Sequence, residues 1–287
     1  MTDGIALALD VGGTKAAAAR VTPDGRVLDR RQVPTTGATD GEALFGRIAG
    51  LLAEVGSGDE SVCGIAGAGP MTERGERLSP INLPAWREFP LRARVAEVTG
   101  LPTYLDGDGK ALALAEGRFG AADGVADYVA MVVSTGVGGG IVLGGRLLDG
   151  STGNAGHIGH VIVVPGGRRC ACGGTGCLEA EASGTAIAAI TGRPPKEAPL
   201  ELREHAGRLV GRAVASVANL LSLRLAVVSG SVALGFGAPF FAAAQQEIDD
   251  LARLSFSAGT RIVPTTLEEG PLLGAACVGW RGQADAR

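Results

Sequence analysis

One pattern occurs twice in this chain of 287 residues: a strand, a glycine-rich turn, a second strand, another turn and a third strand. The first copy runs Ile5 to Asp10, Gly12-Gly13-Thr14, Lys15 to Val21, Pro23-Asp24-Gly25 and Arg26 to Arg30; the Pro-Asp-Gly is a hairpin signal. The second runs Tyr128 to Ser134, Thr135 to Gly140, Ile141 to Leu143, Gly144-Gly145 and Arg146 to Leu148. Helical spacing appears between the strands. Leu44, Phe45, Ile48, Leu51, Leu52 and Val55 recur at the 3.6 period over 41–55. The strand Ser61 to Ala66, a loop to Trp86, a helix from Pro90 to Val98 and the strand Thr103 to Asp106 complete the first half. In the second half come a helix near 200–222, the strand Leu225 to Val228, the turn Ser229-Gly230-Ser231, a helix near 238–253, the strand Arg261 to Val263 and a closing helix near 271–281. A duplicated unit of this kind predicts two α/β domains around a cleft, because each sheet must bury a face under helices. The expected division is 1–115, with the first glycine turn and Asp108; 116–270, with the second turn and a cysteine-rich knot; and 271–287, a helix returning to the first domain.

Glycine turns that follow strands expose consecutive backbone N–H groups, which can cradle phosphate oxygens. In the first, Asp10 closes the strand and Thr14 and Lys15 follow; in the second, Thr135, Gly136, Gly138 and Gly139 stand together. A carboxylate at Asp10 suits magnesium, which keeps most of its water and takes few protein ligands. The same first segment also suits a plain hairpin turn.

His160 precedes a CxCGxxGC run in which Cys170, Cys172 and Cys177 are spaced by glycines. Three thiolates and one imidazole match the tetrahedral preference of zinc and leave no open position, so the metal would hold structure. The alternatives are a disulfide or a fortuitous cluster. Cys63 and Cys277 lie in apolar runs and read as buried small hydrophobes.

A net charge of −4 with no basic block argues against a nucleic-acid surface. No segment reaches the roughly 18 apolar residues of a membrane span, and the N-terminus lacks a positively charged, apolar leader, so a cytoplasmic protein is expected.

The motifs LDVGGTK (Leu9 to Lys15), SPINLPAW (Ser79 to Trp86), DGDGKALALAEG (Asp106 to Gly117), STGVGGGIV (Ser134 to Val142), GHIGH (Gly156 to His160), CxCGxxGCLE (Cys170 to Glu179) and VVSGSVALG (Val227 to Gly235) together resemble the ROK family of bacterial sugar kinases and sugar-responsive repressors. The resemblance implies an actin-like ATPase (ribonuclease H-like) fold, Mg-ATP and a structural zinc, and commonly a homodimer. It also implies roles. Asp108 would accept the proton of the attacking hydroxyl, although it also suits a helix N-cap ahead of Lys110 to Glu116. Asp10 would lie near magnesium; Gly12, Gly13, Thr14 and Lys15 would face the phosphates opposite Thr135, Gly136, Gly138 and Gly139; Gly230 would belong to the adenosine turn. His160 would bind zinc and lie beside the acceptor with Glu179, Gly69 and Asn82.

Three positions depart from the family pattern. Gly107 replaces a sugar-binding asparagine, His157 replaces a sugar-binding glutamate, and Lys110 stands where asparagine is common. The phosphate side is intact and the acceptor side altered, so the expectation is an ATP-dependent kinase for a sugar or sugar-like polyol other than plain glucose. A C7-cyclitol kinase and a non-catalytic sugar sensor are the alternatives. The repressors carry an N-terminal helix-turn-helix domain, and the first strand here begins by Ile5, leaving no room for one.

Overall fold

The computed structural model describes residues 4–72, 75–80 and 83–286. In chain order the elements are β1 (Ala6–Val11), β2 (Lys15–Val21), β3 (Val27–Pro34), α1 (Gly41–Val55), β4 (Val62–Gly67), α2 (Leu91–Thr99), β5 (Thr103–Gly107), α3 (Asp108–Phe119), β6 (Tyr128–Val133), β7 (Val137–Leu143), β8 (Arg146–Leu147), α4 (Leu178–Ala182), α5 (Gly184–Thr191), α6 (Leu200–Leu221), β9 (Leu225–Ser229), α7 (Ser231–Phe236), α8 (Ala238–Leu251), β10 (Arg261–Pro264) and α9 (Gly270–Asp285). They form two compact units. One comprises Met1–Ala115, Asp149–Ala155 and Glu268–Arg287; the other comprises Glu116–Leu148 and Gly156–Leu267.

In the first unit the strand order is β3-β2-β1-β4-β5. β1 and β2 pair antiparallel, as do β2 and β3, while β4 and β5 run parallel to β1. Strand alternation decides which residues face which layer. Cys63 and Ile65 of β4 join Leu44, Ile48, Leu51, Trp86 and Val95 in the core beneath α1 and α2. Gly64, between them, faces α9, where a Cβ would lie 1.9 Å from the Ala275 carbonyl oxygen. Glycine at 64 therefore lets a helix lie directly on the strand. The start of α1 is set by Asp40, whose carboxylate accepts the Ala43 N–H at 2.8 Å.

The second unit repeats the plan. Its order is β10-β9-β6-β7-β8, with β6 to β8 an antiparallel meander and β9 and β10 parallel to β6. Against it pack α6 and α8. A Cβ on Gly207 or Gly211 would come within 2.2 or 2.3 Å of the carbonyl oxygens of Phe240 and Ala244, so two glycines one turn apart bring the helix backbones into contact. Leu209, Val210, Ala213 and Val214 fill the core beneath.

Several elements differ from the sequence reading. The second glycine turn is shorter: Gly138, Gly139 and Gly140 are residues of β7, paired with Val132, Met131 and Ala130. Their small size serves packing, since a Cβ on Gly139 would meet Ile158 Cγ2 at 2.8 Å. Helix α3 starts at Asp108, which is the first helical residue and not a cap outside the helix. The single helix read near 238–253 is preceded by a separate short one, α7, and the short helices α4 and α5 carry too few residues to show a period. Among the described residues, no helix is long and apolar enough to cross a membrane.

Candidate active site and metal centre

In the first unit, Asp10 lies near the end of β1, paired across the sheet with Ala17 and Ala66. The turn after it is a β1–β2 hairpin in which the Gly12 N–H donates to the Lys15 carbonyl at 3.0 Å, and Thr35 ties it down by donating through its hydroxyl to the Gly12 carbonyl at 3.0 Å. Thr14 and Lys15 are exposed, and Gly12 and Gly13 are partly so. Burial pushes the Asp10 carboxyl up to about 7; the nearby Asp108 charge adds to the rise, and Lys15 offsets part of it. Asp108 and Lys15 thus both lie close enough to Asp10 for their charges to act on it. The Asp10 carboxylate fits a hydrated divalent cation, whose charge would offset both its burial and the nearby Asp108 charge.

Asp108 is exposed at the first position of α3, and its Oδ1 accepts the N–H of Gly109 at 2.7 Å. Gly107 ends β5, and a Cβ there would meet no heavy atom within 4 Å. Gly69 precedes Pro70 through a cis peptide bond. Asn82 lies outside the described residues.

In the second unit, the turn Ser134–Gly136 closes β6 and β7 with a hydrogen bond from the Ser134 N–H to the Gly136 carbonyl at 2.9 Å. Its carbonyls are held from α5: Gly184 N–H donates to Ser134 at 2.7 Å, and the Thr185 hydroxyl donates to Thr135 at 2.9 Å. Glu179 reaches the same turn through Oε2, which accepts the Val137 N–H at 2.8 Å. A Cβ on Gly136 would stand 2.6 Å from that oxygen, so the carboxylate occupies the space a side chain would need. Gly230 has φ of +104°, and a Cβ would lie 2.3 Å from the Val133 carbonyl oxygen; only glycine suits this strand-to-helix turn.

The metal ligands converge as their spacing suggests. One donor atom from each of His160, Cys170, Cys172 and Cys177 lies within 4.8 Å of the others. Cys172 Sγ is 3.7 Å from Cys177 Sγ, and Cys170 Sγ is 3.6 Å from His160 Nδ1. Zn–S bonds of about 2.3 Å and Zn–N bonds of about 2.0 Å at tetrahedral angles put ligand atoms roughly 3.5–3.8 Å apart, so the four fit a structural zinc. Because Nδ1 faces the thiolate, Nε2 is left on the far side of the ring. The knot is folded by the Cys170 N–H donating to Gly174 and the Gly176 N–H donating to Arg168, both at 2.8 Å. His157, next to the 3-10 turn Ile158–His160, is exposed, its ring 6.1 Å from that of His160.

A model of the ROK family matches residues 6–279. The chain belongs to the ROK family. It is 39% identical over 247 residues to N-acetylmannosamine kinase of Escherichia fergusonii, covering 80% of this chain and 84% of that one. N-acetylmannosamine kinase of Escherichia coli K12 is 39% identical over 248 residues with the same coverage. Among solved structures, the ROK hexokinase from Thermus thermophilus matches with a TM-score of 0.81 at 32% identity over 98% of this chain and 99% of that one. A ROK family glucokinase from Streptomyces griseus, in complex with glucose and AMPPNP, matches with a TM-score of 0.84 at 28% identity over 97% and 100%. The two mixed α/β units are those of the actin-like ROK fold.

Some residues around the ROK motifs carry no sequence signal. Glu181 is buried behind the knot, where it accepts the Arg168 N–H at 2.5 Å. Glu116 is fully buried and accepts from the Ala121 N–H at 2.8 Å and from the Thr265 hydroxyl. Asp149 and Arg281 join Lys110 and Asp106 in an ion-pair cluster within the first unit. Of these contacts, sequence spacing reveals only the Asp106–Lys110 pair, four residues apart.

Proposed function

We propose that this ROK sugar kinase transfers the γ-phosphoryl group of Mg-ATP to a hydroxyl of an N-acetylated hexosamine, with N-acetylmannosamine the first candidate. The observation that carries this reading is the 39% identity to N-acetylmannosamine kinases over four fifths of the chain. The exposed His157 supports it: an imidazole can donate a hydrogen bond to an acetamido carbonyl, which a carboxylate cannot do.

Asp108 takes the proton of the acceptor hydroxyl as its oxygen bonds to phosphorus and the bond to the β–γ bridging oxygen breaks, releasing ADP. Its exposure at the helix start suits this role. Asp10 would hold hydrated magnesium, which would supply charge neutralisation at the phosphates; Gly12, Gly13, Thr14 and Lys15 bind phosphate oxygens on the first unit, and Thr135 and Gly136 do so on the second. Gly138 and Gly139 act from the adjoining strand, and Gly230 belongs to the nucleoside turn. His160 through Nε2, the remaining oxygen of Glu179, and the Gly69 and Asn82 segments serve acceptor hydroxyls. The placement of Lys15 and Asp108 within charge range of Asp10 favours a kinase over a sensor, which needs no base or metal ligand.

An acceptor-dependent ADP-release assay tests the reading. N-acetylmannosamine should exceed glucose in kcat/KM by about 100-fold or more, the worth of one or two buried hydrogen bonds. A preference for glucose or a cyclitol would overturn it.

A further inference from the structure

Lys110 is a buried lysine that the proposed reaction does not use. Its side chain is 6% exposed, and its ammonium group has three partners: Asp106 Oδ1 at 3.0 Å, Asp149 Oδ1 at 2.8 Å and the Gly153 carbonyl at 2.9 Å. Arg281 of α9 pairs with the second oxygens of the same two carboxylates, Asp106 at 3.4 Å and Asp149 more closely. Two cations and two anions thus form a closed ring, Asp106–Lys110–Asp149–Arg281, wholly within the first unit. A cleft of about 550 Å³ opens beside it, which leaves Asp149 44% exposed while Lys110 stays covered.

The ring brackets one particular piece of backbone. Asp106 is the penultimate residue of β5 and Lys110 lies in the first turn of α3, so the ion pair spans Gly107-Asp108-Gly109. Asp106 Oδ1 also accepts the Gly107 N–H at 2.8 Å, tying the ring to the turn's own backbone. Glycines flank Asp108 on both sides, and at 107 no neighbouring atom would exclude a side chain. The pairing of Gly107 with Gly67 and the helix from Asp108 hold this strand-to-helix junction on its two sides, while its glycines add conformational freedom that a side-chain tie across the junction would narrow. A buried lysine held by two carboxylates and a carbonyl provides that tie, since breaking such a cluster would leave uncompensated charge.

We infer that Lys110 is a positioning residue: with Arg281, Asp106 and Asp149 it fixes the turn that presents Asp108 to the acceptor. The inference rests on the kinase reading for its catalytic consequence, but the restraint itself has a readout independent of activity. Lys110→Met keeps the stem and removes the ammonium group. Amide exchange at Gly107 and Gly109 should then accelerate about tenfold or more, and kcat should fall by a similar factor, while KM for ATP stays within threefold. The double variant Lys110→Met with Asp149→Asn restores charge balance but not the contacts, so thermal stability should recover while kcat stays low. Recovery of both, or unchanged exchange and kcat in a folded single variant, overturns the inference. Should Lys110→Met not fold, Arg281→Met opens the ring at a more exposed member and must show the same pattern. Accelerated exchange in a protein whose wild type phosphorylates no sugar would sink the kinase reading and leave the restraint standing; normal turnover with unchanged kcat does the reverse.

Discussion

Glu179 accepts the backbone N–H of Val137 at 2.8 Å, so the helix that begins one residue after zinc ligand Cys177 also holds the second glycine turn in place. A carboxylate proposed to serve the acceptor is therefore also bonded beside the turn proposed to bind phosphate. Glu179→Ala should raise KM for ATP about tenfold, since a hydrogen bond to a charged acceptor contributes about 1.5–3 kcal/mol and part is regained from water. Glu179→Gln retains an acceptor oxygen and should recover most of it. If both variants change only KM for the sugar, the contact has no bearing on nucleotide binding.

Zinc removal provides a second test. Protein purified without chelator should contain about one zinc per chain, and because forming such a site is coupled to local folding, Cys172→Ser should lose metal and activity together. Cys172 is the exposed ligand, so its replacement disturbs packing least. Elemental analysis giving well under one zinc in active protein would count against the assignment.

Asp108→Asn keeps the shape of the side chain but cannot accept a proton at the working pH. Turnover should fall roughly 100-fold or more with ATP affinity nearly unchanged. A variant with near-normal turnover would show that Asp108 only begins the helix.

Asp10 gives a pH signature. Burial disfavours the charged form and pushes its carboxyl up to about 7 in the folded protein, above the usual 3.8 of an aspartate. Between those values the folded state binds more protons than the unfolded state, so Asp10 contributes a loss of stability that grows as pH rises from about 4 and is complete above about 7. Without nucleotide and magnesium, Asp10→Asn should raise the melting temperature at pH 8 by a few degrees and change it little at pH 4. A lower melting temperature at pH 8 would contradict this, and the same variant should need more magnesium for turnover.

The acceptor side is tested by Gly107→Asn combined with His157→Glu. Space at 107 admits a side chain, and its backbone lies outside the left-handed region. The pair should raise kcat/KM for glucose by one to two orders of magnitude and lower it for N-acetylmannosamine, at about 1–3 kcal/mol for each hydrogen bond gained or lost. Efficient glucose phosphorylation by the unmodified protein would overturn this view of the two residues.

The chain's local order was legible in its residues for definite reasons. The apolar period of Leu44 to Val55 has one solution, a helix with one buried face, and α1 spans those residues. The duplicated strand–turn–strand unit was legible because each copy repeats the same alternation, and the two sheets share a strand order. Convergence of His160 with Cys170, Cys172 and Cys177 followed from their ligand chemistry and short spacing. Gly138 and Gly139 misled because a glycine run reads as a turn wherever it stands. Here it marks a strand on which the 156–160 segment packs closely, and only the fold shows what approaches.

Periodicity, turn chemistry and ligand spacing depend on near neighbours, and these were readable along the chain. Contacts between distant segments account for the rest. They set the direction of Glu179 toward Val137, the raised carboxyl of Asp10 and the ring that joins Lys110 to Asp149 and Arg281. Asp149 and Arg281 are 132 residues apart. No local rule links charges at that separation; they meet because β5, α3, α9 and the 149–155 segment fold into one unit, where burial makes each charge depend on the others.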